Sequence, residues 1–169
     1  MRNAFSIASS KIAEWEGGAS QYNPDTELWT AYPDEISGGV PTLGPGLTGT
    51  VGGQDIVAGE EYPSEVINTE FQSRMQGDFN WLKKNVNNWD DLNDNQKASV
   101  MSLVHNVGKQ GFIESNAFNQ LNKGNYKEFL YEAFDPDIGF VKADGEIIKG
   151  LQNRRRKERD LFLTEPEAF

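Results

Sequence analysis

A chain of 169 residues is the size of one domain, with room for two lobes, and can bury roughly two thirds of the surface its unfolded form exposes. It has no cysteine and one histidine, His105. That excludes a disulfide framework, a thiolate metal site and a multi-histidine cluster, so no metal and no cofactor is expected. A net charge of −10 argues against a nucleic-acid partner, which is bound by neutralising phosphates with Lys and Arg.

The charge is uneven. Residues 1 to 60 carry eight acidic and two basic side chains, whereas residues 149 to 169 carry six basic and four acidic, so the cationic surface is expected at the C-terminal end. No stretch approaches the about 18 consecutive apolar residues of a membrane span, and the first fifteen residues lack the apolar run of a signal peptide.

Phe5, Ala8, Ile12 and Trp15 recur at three- and four-residue spacing, which predicts a helix over 3–16 stopped by Gly17-Gly18. Glu16 then sits in the last helical turn, where the negative end of the helix dipole opposes its carboxylate and favours the protonated acid. Residues 17 to 60 hold ten glycines and four prolines with short β-prone runs such as LWTAY and TGTVGG, and predict a small β-rich lobe. From Pro63, the stripe Ile67, Phe71, Met75, Phe79, Leu82 and Val86 predicts one long helix linking that lobe to a helical one.

Asn93 or Asp94 suits the cap of a helix carrying Val100, Leu103, Val104 and Val107 and closed by Gly108. Shorter helices follow around 113–122 and 125–134, then a hairpin on Asp144-Gly145 and a last helix from about 150 to 163. The class is α+β, mostly helical: a β-rich lobe at about 17–60, and a helical lobe at about 61–169 joined by the N-terminal helix.

The run AYPDEISGGVPTLGPGLTG, residues 31–49, puts Asp34 and Thr42 on glycine-rich turns after the helix that ends in Glu16. An acid, a second carboxylate and a hydroxyl suit glycoside hydrolysis, in which one carboxylic acid protonates the leaving oxygen and a second group handles water or the sugar cation. Acidic residues on glycine turns are more often solvated loop residues, so by itself this trio is a weak signal.

IAEWEGG followed by AYPDEISGGVPTLGPGLTG closely resembles the N-terminal signature of the phage-type lysozymes, the endolysin muramidases: I-x-x-x-E-G, then A-Y-x-D, then T-x-G-x-G-x-T. LNDNQKASVMSLVHNVG, FIESNAFNQLNKGNY and GLQNRRRKERDLFL resemble that family's later motifs in the same order. The resemblance spans residues 5 to 163. It implies a lysozyme-like fold of two lobes and cleavage of the β-1,4 bond between N-acetylmuramic acid and N-acetylglucosamine in peptidoglycan. Glu16 would be the general acid, Asp34 the carboxylate that orients water or supports the oxocarbenium ion, and Thr42 the hydroxyl that helps to place the water.

Arg154 matches the arginine that pairs with the catalytic glutamate in that family, and Asn106 and Ser115 match polar positions lining its groove. Each also has a plainer reading. Asn106 and Ser115 suit local caps, His105 inside an apolar helix suits a satisfied core histidine, and Arg155, Arg156 and Lys157 suit a solvated helix face. Glu14, two positions from Glu16, faces elsewhere on its helix. The resemblance further implies a monomer acting on peptidoglycan, held in the host cytoplasm until lysis or carried in a virion. A lytic transglycosylase needing only Glu16, and a non-catalytic wall-binding module, are the competing readings.

The chain departs from the pattern in three ways. Seventeen residues separate Glu16 from Asp34, roughly nine more than usual in the family. The extra segment, GASQYNPDTELWT, is expected to form a groove wall or partner contact. Asp25 restores the usual distance from Glu16 but lacks the A-Y-x-D and the glycines downstream, so Asp34 is favoured. GPGLT stands where family members often carry an aromatic residue and a histidine. The negative charge, finally, is repelled at long range by the anionic wall.

Overall fold

The computed structural model describes residues 3–16, 21–35, 38–143 and 145–165, with the backbone alone at Glu16 and Gln21. By their contacts the residues fall into two compact units, 10–74 and 1–9 together with 75–169, and the division passes through two helices. These are α1 (Ala4–Glu16) and α2 (Ser64–Asn85).

Unit 10–74 is built of short antiparallel strands. β1 (Gln21–Asn23) and β2 (Leu28–Thr30) form a hairpin that pairs onward with β8 (Glu61–Pro63). The inserted segment is thus an added hairpin with regular register, Tyr22 opposite Trp29 and Trp29 opposite Tyr62. Trp29 Nε1 donates to Ser64 Oγ at 3.0 Å and Ser64 Oγ donates to Glu27 O at 2.7 Å, which ties the hairpin to the start of α2.

A second ribbon orders β3 (Tyr32–Asp34), β4 (Val40–Leu43) and β5 (Leu47–Thr48). β6 (Thr50–Val51) pairs with β7 (Gln54–Asp55). Ile12, Leu43, Leu47, Val51, Ile67 and Phe71 are buried apolar side chains of this unit. Gly44, at φ +55°, lies 2.8 Å from Ile67 Cγ2 in the place a Cβ would take. A side chain there would be strained by the backbone and would press into α2.

The other unit is helical. After the second half of α2 a 3-10 turn, Trp89–Asp91, leads to α3 (Asp94–Val107), α4 (Lys109–Ile113), α5 (Asn116–Asn122), α6 (Tyr126–Phe134), the β9 (Lys142–Ala143) and β10 (Glu146–Ile147) hairpin, and α7 (Lys149–Leu163). Asn93 is the cap of α3: its side chain accepts from Gln96 N and the Gln96 side chain accepts from Asn93 N, both at 2.9 Å, a reciprocal capping box. Gly108, at φ +79°, ends α3 and starts α4. That short helix breaks the period over five residues and is absent from the sequence reading.

α3 packs on α7, and α6 on both α5 and α7. Phe129 sits between Phe134 and Phe162, with ring centroids 5.4 and 5.3 Å away. Such tilted and edge-on contacts add to the area the rings bury. Among the described residues no helix is long and apolar enough to cross a membrane.

Candidate active site

The β3–β4 register decides how the candidate residues of the first unit stand. Tyr32 pairs with Thr42 and Asp34 with Val40. Residues two apart on a strand share a face, and paired residues share it across the ladder, so Asp34 and Thr42 project diagonally from one side of the ribbon. Gly39 N donates to Asp34 O at 2.7 Å with Gly39 at φ +84°, closing the turn behind the carboxylate.

Asp34 is half-buried. Thr42 is 4% exposed, and its Oγ1 donates to Val40 O at 3.0 Å. The hydroxyl proton is therefore committed to its own strand, and the oxygen presents itself as an acceptor. A carboxylate beside an accepting hydroxyl can hold and polarise one water molecule.

Asp25 stands elsewhere. It is exposed in the β1–β2 turn, where its backbone N donates to Asn23 Oδ1 at 3.0 Å. The backbone of Glu16 ends α1, and its side chain, with Gly17 and Gly18, lies outside the described residues. Glu14 is exposed and pairs with Lys11 at 2.8 Å.

In the helical unit Arg154 and Asn106 join one buried polar network. Glu158 and Arg155 are wholly buried. Glu158 Oε1 accepts from Ser102 Oγ at 2.6 Å, Arg154 Nε at 3.0 Å and Arg155 Nη2 at 3.1 Å. Arg155 Nε lies 2.7 Å from Glu158 Oε2, an ion contact too bent to count as a hydrogen bond. Arg155 Nη2 also donates to Asn106 Oδ1 at 2.9 Å.

The solvated-face reading of Arg155 is thereby corrected. Its place on α7 turns it inward, and Glu158 at i+3 supplies the counter-charge that makes burial possible. Arg156 and Lys157 are exposed. The sequence reading passed over Glu158 and Ser102, although Glu158 four residues after Arg154, and serines at 99 and 102 inside an apolar stripe, were signals available to it.

Ser115 caps α5, with Oγ accepting from Phe118 N at 3.1 Å and donating to Phe112 O at 2.6 Å. His105 Nδ1 lies 3.5 Å from Asp78 Oδ2, and Lys109 Nζ 3.0 Å from Asp78 Oδ1. Burial opposes ionisation of Asp78, but the hydrogen bonds from His105 and Lys109 and their positive charges outweigh it and hold the carboxyl below its ordinary range. His105 is a satisfied, largely buried histidine.

The sequence profile of the phage lysozyme family matches residues 25–158. The chain belongs to the phage lysozyme family. The endolysin of Salmonella phage P22 is 35% identical over 140 residues, a stretch covering 82% of this chain and 88% of the relative. A crystal structure of a mutant of P22 lysozyme matches with TM-score 0.63 at 30% identity, over 97% of this chain and 100% of the other. The active form of P1 phage endolysin Lyz matches with TM-score 0.67 at 21% identity, over 95% and 91% of the two chains, a likeness of fold. This family member is a lysozyme-type glycosidase with the α+β, mostly helical fold, and hydrolyses peptidoglycan. The profile takes in Asp34, Thr42, Asn106, Ser115 and Arg154 and begins after Glu16.

Proposed function

We propose that this phage lysozyme is an N-acetylmuramidase whose Glu16 is the general acid, with Asp34 and Thr42 placing the water. The Glu16 carboxylic acid gives its proton to the glycosidic oxygen as the bond from the muramic acid anomeric carbon breaks. Asp34, ionised, supports the sugar cation or turns a water oxygen toward it, and Thr42 Oγ1 accepts a hydrogen from that water. Arg154 supports Glu16, and Asn106 and Ser115 contact the glycan. The observation that carries the reading is the β3–β4 register, which gives Asp34 and Thr42 a common face. In the same reading the protein acts as a monomer and meets the wall at lysis.

Digestion of purified peptidoglycan followed by mass analysis of the fragments tests it. Hydrolysis leaves reducing muramic acid ends. Products one water lighter would instead mark a lytic transglycosylase, which has no use for a placed water.

A further inference from the structure

The hairpin inserted before β3 carries Tyr22 and Trp29, aromatic side chains that stay outside the buried core. Tyr22 stands opposite Trp29 and Trp29 opposite Tyr62 in the β1–β2–β8 ladder, so these rings project from one face of the sheet. Burial falls along the row. Tyr62 is 8% exposed and its hydroxyl accepts from Val57 N at 2.8 Å, Trp29 is half-buried, and Tyr22 is 45% exposed. The Tyr22 and Trp29 ring centroids lie 4.9 Å apart with planes 39° from parallel, which gives one continuous aromatic surface.

That surface is held more firmly than an exposed hairpin requires. Glu27, in the turn between the strands, has φ +56°, a conformation that a residue with a side chain keeps only where its surroundings impose it. Ser64 imposes it: its N and Oγ both donate to Glu27 O, at 3.1 and 2.7 Å, while its Oγ accepts from Trp29 Nε1 at 3.0 Å. The indole is thereby tied to the first residue of α2. Ala31, the residue between β2 and β3, is fastened on both sides, its N donating to Glu60 O at 2.9 Å and its O accepting from Gly59 N at 2.8 Å. Trp29 and Asp34 are five residues apart, at most about 17 Å between Cα atoms.

We propose that Tyr22 and Trp29 form a glycan subsite, at which a sugar ring of the peptidoglycan strand stacks beyond the bond being cut. Its place beside the cut rests on the reading in which Asp34 serves the reaction. A pyranose ring has an apolar C–H face and a hydroxylated edge; the face suits the negative π surface of a Tyr or Trp ring, and the edge stays in water. The charge of the hairpin selects the same occupant. Residues 21–30 include Asp25 and Glu27 and no basic side chain, which repels an anionic polymer and leaves uncharged sugar rings. The substrate of a peptidoglycan hydrolase is a strand many sugars long, and such a strand spans the distance from Asp34 to the rings.

The test takes kcat and KM on soluble glycan fragments several repeats long for Tyr22→Thr, Tyr22→Phe and Asp34→Ala in the full chain, each rate divided by the folded fraction. Tyr22→Thr removes the ring but leaves a strand-forming residue opposite Trp29, so the hairpin keeps its pairing. Tyr22→Phe keeps the ring. Tyr131→Ala, at a tyrosine 52% exposed on α6, is the control with unchanged KM.

The expected result for Tyr22→Thr is a KM raised about two- to tenfold at unchanged kcat, the mark of lost binding that substrate and transition state share, with a wild-type KM for Tyr22→Phe. If Tyr22→Thr keeps the wild-type KM, if its loss lies in kcat alone, or if Tyr22→Phe loses as much, the stacking subsite is overturned. An unchanged KM together with altered sedimentation would overturn it in favour of a second copy of the chain on the same face. Asp34→Ala separates the two readings, because it acts on turnover. A raised KM in Tyr22→Thr beside wild-type turnover in Asp34→Ala keeps the glycan-binding rings and removes Asp34 from the reaction, and the opposite pair of results keeps Asp34 and removes the rings.

Discussion

Asp34 lies diagonal to Thr42 on one face of the β3–β4 ribbon, with Val40 between them in register, paired with Asp34 and accepting the Thr42 hydroxyl at 3.0 Å. The carboxylate and the hydroxyl are therefore placed by the same few ladder hydrogen bonds. Whatever shifts the ribbon by one residue would separate them, since a one-residue slip sends a strand's side chains to the opposite face.

Asp34→Ala is expected to lower turnover by orders of magnitude while thermal stability stays nearly constant, because the half-buried carboxylate is not part of the apolar core. Asp25→Ala, in the exposed hairpin turn, should leave turnover within a few-fold. Both variants assayed on one peptidoglycan preparation decide the matter, and the reverse ranking would transfer the second catalytic role to Asp25.

Glu16→Gln keeps the shape of the side chain and removes its proton. Loss of wall digestion to below about a hundredth of the wild-type rate is expected, in line with the roughly 10²- to 10⁴-fold contribution of a positioned general acid. Glu14→Gln, which breaks an exposed pair with Lys11, should change little. Substantial digestion by the Glu16 variant at equal folded concentration would count against the acid assignment.

The net charge of −10 opposes approach to an anionic wall. Activity on whole walls is expected to rise with added salt toward about 0.15 M, where screening cuts off repulsion beyond some 8 Å, and to fall at higher salt. A rate that only falls from the lowest salt upward would mean that a local cationic surface governs the encounter.

The Asp78 carboxyl, held below its ordinary value of 3.8 against the cost of burial by His105 and Lys109, links stability to pH. A carboxyl whose folded pKa is depressed stabilises the fold above its unfolded pKa and loses that contribution as pH falls through the folded value. Asp78→Asn should therefore destabilise the protein near neutrality by about 1.5 to 3 kcal/mol, the range for hydrogen bonds to charged groups. The gap from wild type should close as pH drops below about 3.8. Urea unfolding of both proteins from pH 7 to pH 2 measures it, and a gap independent of pH would show that the Asp78 charge contributes nothing.

The helices were legible in the sequence because their signals are local. The stripe from Ile67 to Val86 needs only the 3.6-residue period to announce α2, and Asn93, Gly108 and Gly145 mark ends and turns through the conformations they favour within a few residues, while Asp144 lies outside the described residues. The motif around Asp34 and Thr42 was legible for the same reason, since glycines at φ +84° and +55° leave a fixed pattern in the chain. What the sequence left open depended on which distant side chain meets which. Glu158, three residues on, offers Arg155 a local partner, but the burial of Arg155 beside the exposed Arg156 arises only when α7 packs on α3 and brings Glu158 against Ser102, 56 positions away in the chain. The inserted segment was likewise expected only as a groove wall or partner contact, because its order comes from pairing β2 with β8 across more than thirty residues. Local conformational preference wrote the elements into the sequence, while the partners of buried charges and the register of β2 on β8 were decided by packing, which no short window of residues contains.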